Sequence, residues 1–151
     1  MKEVIIKQRV LNGISIQTSL ADEMDPKKAK IGVLWQKFDH EVPVDYKGGE
    51  RVYGLYSSYE NGTEGNFNAT AAYDGKSRHF LKEVVVEGGK YLLFEAEANS
   101  SDDEARGATV MALWGEVWGY FGANSNHTRA FKTDFDFYKD ATHIEVYVSI
   151  L

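Results

Sequence analysis

Few side chains in this sequence are of a type that does chemistry, and most of those are carboxylates. The chain has no cysteine, which excludes thiolate nucleophiles, disulfides and Cys-based metal sites. Its histidines, His40, His79, His127 and His143, show no ligand spacing of the HExxH kind. There is no GxSxG elbow and no phosphate-binding glycine loop. The segment ATHIEVYVSIL, residues 141–151, alternates as a strand. It places Glu145 and Tyr147 on one face and Ile144, Val146, Val148 and Ile150 on the other. Among aromatic walls, a carboxylate beside a tyrosine serves as counter-charge for an organic cation. With a water at hand, the same pair is a base and a proton donor for hydrolysis. A solvent-facing strand carries the same residues with no function at all. Asp134 and Asp136 also lie two apart on one strand face. Such a pair suits acid–base work or a divalent cation, and equally a solvated face. Neither a metal nor any other cofactor is expected.

The second chemical resource is aromatic. The chain holds three Trp, nine Tyr and eight Phe in 151 residues. Trp114 and Trp118 are four apart and share a helix face. Tyr53 and Tyr59 fall on one face of a strand, Tyr56 on the other. These residues are either core or the walls of a cleft, because Trp and Tyr bring polar tips that need partners.

Two similar sets of elements have to position them. Residues 3–19 read as one or two strands, with a hairpin turn at Asn12-Gly13 as one option. Asp25 and Pro26 read as the N-cap and first position of a helix whose stripe is Ile31, Leu34, Trp35 and Phe38, ending before Pro43. Strands RVYGLYSSYE and FNATAAYD follow, joined by NGTEGN. The order then recurs. KYLLFEAEAN is a strand, and SSDDEARG is an acidic lead into the helix ATVMALWGEVWGYFG. RAFKTDFDFYK and THIEVYVSI form a hairpin across Asp140-Ala141. A shift of 79 residues puts Leu34-Trp35 on Leu113-Trp114 and Tyr59 on Tyr138. The expected architecture is α+β: a duplicated β-α-β-β unit with pseudo-two-fold symmetry. Its half-repeats run over about 1–75 and 88–151, in one domain. Two long helices on an antiparallel sheet would leave a central ligand cleft between the halves. The glycines of Tyr46-Lys47-Gly48-Gly49 and Asn61-Gly62 suit mobile loops beside it.

The balance of charge narrows the partners. Net charge is −6, and no stripe of Lys and Arg offers itself to phosphates, so nucleic acid is not expected as a direct partner. An acidic field suits a cationic ligand better. The N-terminus is not a signal peptide and no window is apolar enough to span a membrane, so no membrane partner and a cytoplasmic location are expected.

Four segments together resemble a known family: LADEMDPKKAKIGVLWQKF, RVYGLYSSYENGTEGNFNATAAYD, WGEVWGYF and RAFKTDFDFYKDATHIEVYVSI. They resemble the GyrI-like effector-binding superfamily, the ligand-binding domain of AraC-type and MerR-type multidrug regulators. The resemblance is greatest to its stand-alone integron-cassette branch. It implies the duplicated fold just described and a cleft for lipophilic, often cationic, small molecules. It also implies a buried acid among stacked aromatics. The family's acid–aliphatic–Tyr–aliphatic segment falls on EVYV, which gives that role to Glu145 with Tyr147 beside it. Its Phe–acid–x–Tyr segment falls on FDFY and brings in Asp136. Trp35, Trp114, Trp118, Tyr56, Tyr59 and Phe131 are the candidate walls. Some members are hydrolases, for which Glu145 and Tyr147 would be the catalytic pair. A third reading is an interaction protein that uses its tyrosine strands at an interface. A homodimer or a separate regulatory protein are the partners open to it. The two halves use the 151 residues, and no helix-turn-helix is expected.

Overall fold

Val-, Ile- and Tyr-rich stretches favour strands, and the two apolar-striped segments favour helices. A computed structural model describing residues 1–151 shows how they assemble. The strands are β1 (Lys2–Ile6), β2 (Arg9–Ser19), β3 (Val52–Ser57), β4 (Asn66–Tyr73), β5 (Lys82–Val86), β6 (Gly89–Glu97), β7 (Asp134–Tyr138) and β8 (His143–Ser149). The helices are α1 (Leu20–Glu23), α2 (Ile31–Glu41) and α3 (Asp103–Gly122). All eight strands form one antiparallel sheet in the order β1-β6-β8-β7-β3-β4-β2-β5.

That order is symmetric about the β7–β3 boundary once β1 is matched with β5, β2 with β6, β3 with β7 and β4 with β8. The pseudo-two-fold therefore crosses the central pair, where Gly54 stands opposite Asp136. About that pair the symmetry exchanges Tyr56 with Tyr138, since Tyr56 faces Asp134 and Tyr138 faces Val52. The separation of 79 residues that aligns Trp35 with Trp114 thus becomes 82 in the central strands, 138 minus 56, and Tyr59 is not the mate of Tyr138.

The repeated unit is also one strand longer than the sequence suggested. Lys82–Val86, which fell between the expected halves, is β5, the counterpart of β1. Both leading strands are exchanged: β1 pairs with β6 of the second half, and β5 with β2 of the first. No hairpin forms at Asn12-Gly13, because β2 runs straight through. Gly13 serves close approach instead: a Cβ there would lie 2.5 Å from the Ala71 carbonyl oxygen.

Helix α2 starts later than Asp25. Asp25 closes a separate turn, its carboxylate accepting from Lys27 N and its carbonyl from Lys28 and Ala29. The free N–H groups at the start of α2 are taken by Glu23, which accepts from Lys30 N at 2.9 Å and Ile31 N at 3.2 Å. A carboxylate there complements the helix dipole. The acidic lead into α3 acts as expected, with Asp102 accepting from Ala105 N at 2.8 Å.

Each long helix covers its own half of one sheet face. Leu34 and Phe38 of α2 pack on Val52, Ala69, Ala71 and Tyr73. Leu113, Trp114 and Val117 of α3 pack on Leu92, Phe94, Ile144, Val146, Val148 and Ile150. The opposite face has its own core, Leu11, Tyr53, Leu55, Val86, Tyr91 and Phe135, against which Val4 and Ile6 of β1 and Val84 of β5 pack. The sheet is curled so that its edge strands cover that side. Between α2 and α3 the helix-side face of β3 and β7 is left open.

Candidate functional site

The open strip is a cavity of about 390 Å³, within the usual range for small-molecule sites. α2 contributes Ile31 and Trp35, and α3 contributes Val110, Trp114 and Trp118. The strands contribute Tyr56, Phe67, Asp136 and Tyr138, and the loop after β3 contributes Tyr59. Met24 and Met111, 57% and 56% exposed, also line it, one from each half. The aromatic rings are packed edge to face: Tyr56 on Trp114 with centroids 5.3 Å apart, and Trp35 on Tyr138 at 5.9 Å.

Asp136 is the only one of these strand residues that carries charge, and it is 1% exposed. Trp114 Nε1 donates to its Oδ1 at 2.9 Å, and Tyr56 Oη donates to its Oδ2 at 2.8 Å. No lysine, arginine or histidine pairs with it. Burial raises its pKa to about 6, against the lowering effect of the Trp114 and Tyr56 hydrogen bonds. Burial likewise pushes the Tyr56 and Tyr138 hydroxyls well above their ordinary range, so they remain donors. Room for the carboxylate comes from its symmetry mate. A Cβ on Gly54 would lie 2.9 Å from Asp136 Oδ2 and 3.2 Å from Trp35 Cζ2.

Two residues earlier on β7, Asp134 is 0% exposed and sits in a different setting. Arg129 Nη2 donates to it at 2.7 Å and Tyr59 Oη at 2.6 Å, while Ser149 N and Oγ take its other oxygen. The Arg129 guanidinium stacks over Phe131 at 4.3 Å and lies 5.8 Å from the Tyr59 ring centre. This carboxylate has its cation, held against aromatic rings.

Of the residues marked out by sequence, Trp35, Tyr56, Tyr59, Trp114, Trp118 and Asp136 line the cavity. Phe131 lies beyond Arg129, in an adjoining hollow of about 600 Å³. Glu145 and Tyr147 do not line it. Strand register is the reason: on β8, Val146 stands opposite Asp136 and Glu145 opposite Phe137. Glu145 therefore points away from the helices, and the aliphatic face of β8 is the one beneath α3. There Glu145 accepts from Tyr147 Oη at 2.8 Å and lies 3.3 Å from His143 Nε2. The pair expected to do hydrolysis is thus bonded together outside the cavity. Tyr138, Phe67, Glu23 and Arg129 are lining residues that the sequence reading missed. Tyr138 was the findable one, since it lies two residues from Asp136 on the same strand face. No helix is long and apolar enough to cross a membrane.

The similarities to known proteins agree with this architecture. Residues 5–150 match the family described as Cass2, integron-associated effector binding protein. An integron cassette protein from the mobile metagenome of Vibrio cholerae is 34% identical, with a TM-score of 0.89 over 99% of this chain and 95% of that one. The structure of SAV2435 bound to tetraphenylphosphonium is similar at a TM-score of 0.69 and 17% identity, covering 99% and 93% of the two chains. A bacterial protein from Staphylococcus aureus MU50, described as a putative transcription regulation protein, is similar at a TM-score of 0.71 and 16% identity, over 99% and 96%. Among curated proteins none matches. With the family match running over almost the whole sequence, the chain belongs to the Cass2 integron-associated effector-binding proteins, a family of small-molecule binders.

Proposed function

We propose that the cleft binds a lipophilic organic cation and that Asp136, not Glu145, is its counter-charge. One observation carries this reading: a carboxylate 1% exposed, at the floor of an aromatic cavity, whose partners are neutral donors. An ionised group in that position is costly unless an opposite charge accompanies it. Asp134 is the internal comparison. It is buried to the same degree two residues away, and there the chain supplies a guanidinium seated on aromatic rings. At Asp136 the same arrangement of carboxylate and rings lacks its cation, and a ligand would complete it. The rings of Trp35, Tyr56 and Trp114 would add cation–π attraction, while the Tyr138 ring already carries the Arg106 guanidinium at 5.2 Å. Met24 and Met111 at the mouth are flexible and polarizable, which suits ligands of varied shape.

The test is a titration of tryptophan fluorescence with tetraphenylphosphonium and with tetraphenylborate, its anion of like shape. Trp35, Trp114 and Trp118 all line the cavity, so occupancy should alter their emission. Saturable binding of the cation, at least tenfold tighter than the anion, is expected. Equal binding of both ions would mean that the cleft reads only shape and greasiness, and would remove Asp136 from its role.

A further inference from the structure

We infer that the cleft takes cations that also carry a neutral hydrogen-bond acceptor, read by the free edge of Arg129. The inference rests on the cation reading above and specifies the ligand class further. Arg129 lines both the cavity and the adjoining hollow. Its side chain is only 7% exposed. Of its donors, Nη2 is used by Asp134. Nε is enclosed and has no hydrogen-bond partner, and Nη1 makes no hydrogen bond within the chain. A buried guanidinium with unspent donors is costly, because such groups are ordinarily satisfied.

The guanidinium cannot easily turn away to find water. It stacks on Phe131 at 4.3 Å, and Asp134 holds it from one side with Tyr59 on the same carboxylate. Phe131 itself has a backbone φ of 53°, a conformation rare for a bulky residue and often associated with binding sites. With Nη2 taken by Asp134 and Nε enclosed, the donor left to a ligand is Nη1, on a side chain that lines both hollows.

Charge decides what kind of acceptor fits. Asp134 already neutralises Arg129, and Asp136 lies two residues away on the same strand, so a ligand carboxylate would meet two carboxylates. A carbonyl, amide or ether oxygen would accept without that repulsion. The spacing follows from the strand: two residues of β7 span about 7 Å. The ligand's cationic centre and its acceptor should therefore lie on the order of 7–10 Å apart.

The experiment compares two quaternary ammonium ions of equal length. One has a saturated chain, and the other has a ketone about 8 Å from nitrogen, two strand residues away. Both are titrated against wild type, Arg129→Lys and Asp136→Asn. Arg129→Lys retains a cation for Asp134 and loses the planar edge. The expected result is at least fivefold tighter binding of the ketone than of the saturated ion by wild type, and a ratio of the two affinities that falls to within twofold in Arg129→Lys. Equal binding of the two ions by wild type overturns the inference without any variant, so a poorly folding Arg129→Lys does not rescue it. A ketone preference that survives in Arg129→Lys overturns it too, and if both ions still weaken in Asp136→Asn, the cation reading stands alone. Failure of both ions to bind wild type overturns both readings.

Discussion

Asp136→Asn should make the empty protein more stable and the cation site weaker. Folding moves this carboxyl from an ordinary 3.8 to about 6, which corresponds to a cost of about 3 kcal/mol for the ionised form at neutral pH. Asparagine keeps the size and can still accept from Trp114 Nε1, while its amide group meets the Tyr56 hydroxyl, which can accept as well as donate. Imperfect geometry will consume part of the gain, so the expected stabilisation is about 1–2 kcal/mol. In a domain of this size that raises Tm by roughly 3–8 °C. The same change removes the counter-charge, and tetraphenylphosphonium should bind about ten- to hundredfold more weakly, a loss of ~1.4–2.8 kcal/mol. Thermal melts at pH 8 and fluorescence titrations on the two proteins read the two effects independently. A variant that is less stable and yet binds the cation as well as wild type would refute the argument, because Asp136 would then be a structural acceptor and nothing more.

The same carboxyl sets a pH dependence whose sign follows from its raised pKa. Its protonated form is favoured by folding, so its contribution to stability is largest below about 4 and is lost as pH rises from 3.8 to about 6. Cation affinity should move the other way, falling about tenfold per pH unit below 6 and levelling off above it, which titrations from pH 4.5 to 8 would reveal. Gly107 lines the cavity from α3, and a Cβ there meets nothing within 4 Å. Gly107→Leu should therefore stabilise the helix by about 0.5–1 kcal/mol while its side chain occupies the cleft, so a higher Tm is expected together with cation binding at least tenfold weaker. Glu145→Gln should leave cation affinity within twofold of wild type. Its effect should appear instead at His143, whose pKa is raised first by the Glu97 hydrogen bond and then by Glu145; NMR titration of the imidazole should show a lower value in the variant.

Much of this protein was determined by local pattern. The Leu34, Trp35 and Phe38 stripe, the Asp102 cap before α3, and the alternation of β7 and β8 all express interactions within a few residues, and each forms where the residues indicate. The duplication was legible because Trp35 and Trp114 occupy equivalent helix positions, and both reach the cavity. Tertiary structure decided the rest. Alternation along THIEVYVSI separates Glu145 from Val146, but it does not say which of the two faces the helices cover. That depended on α3 packing over Ile144, Val146 and Val148, and on the pairing of Asp136 with Val146. The exchange of β1 and β5 was hidden for a similar reason, since five-residue strands carry no mark of their partners. A strand's own sequence specifies its two faces; the choice of partner and register specifies which carboxylate is buried without a cation.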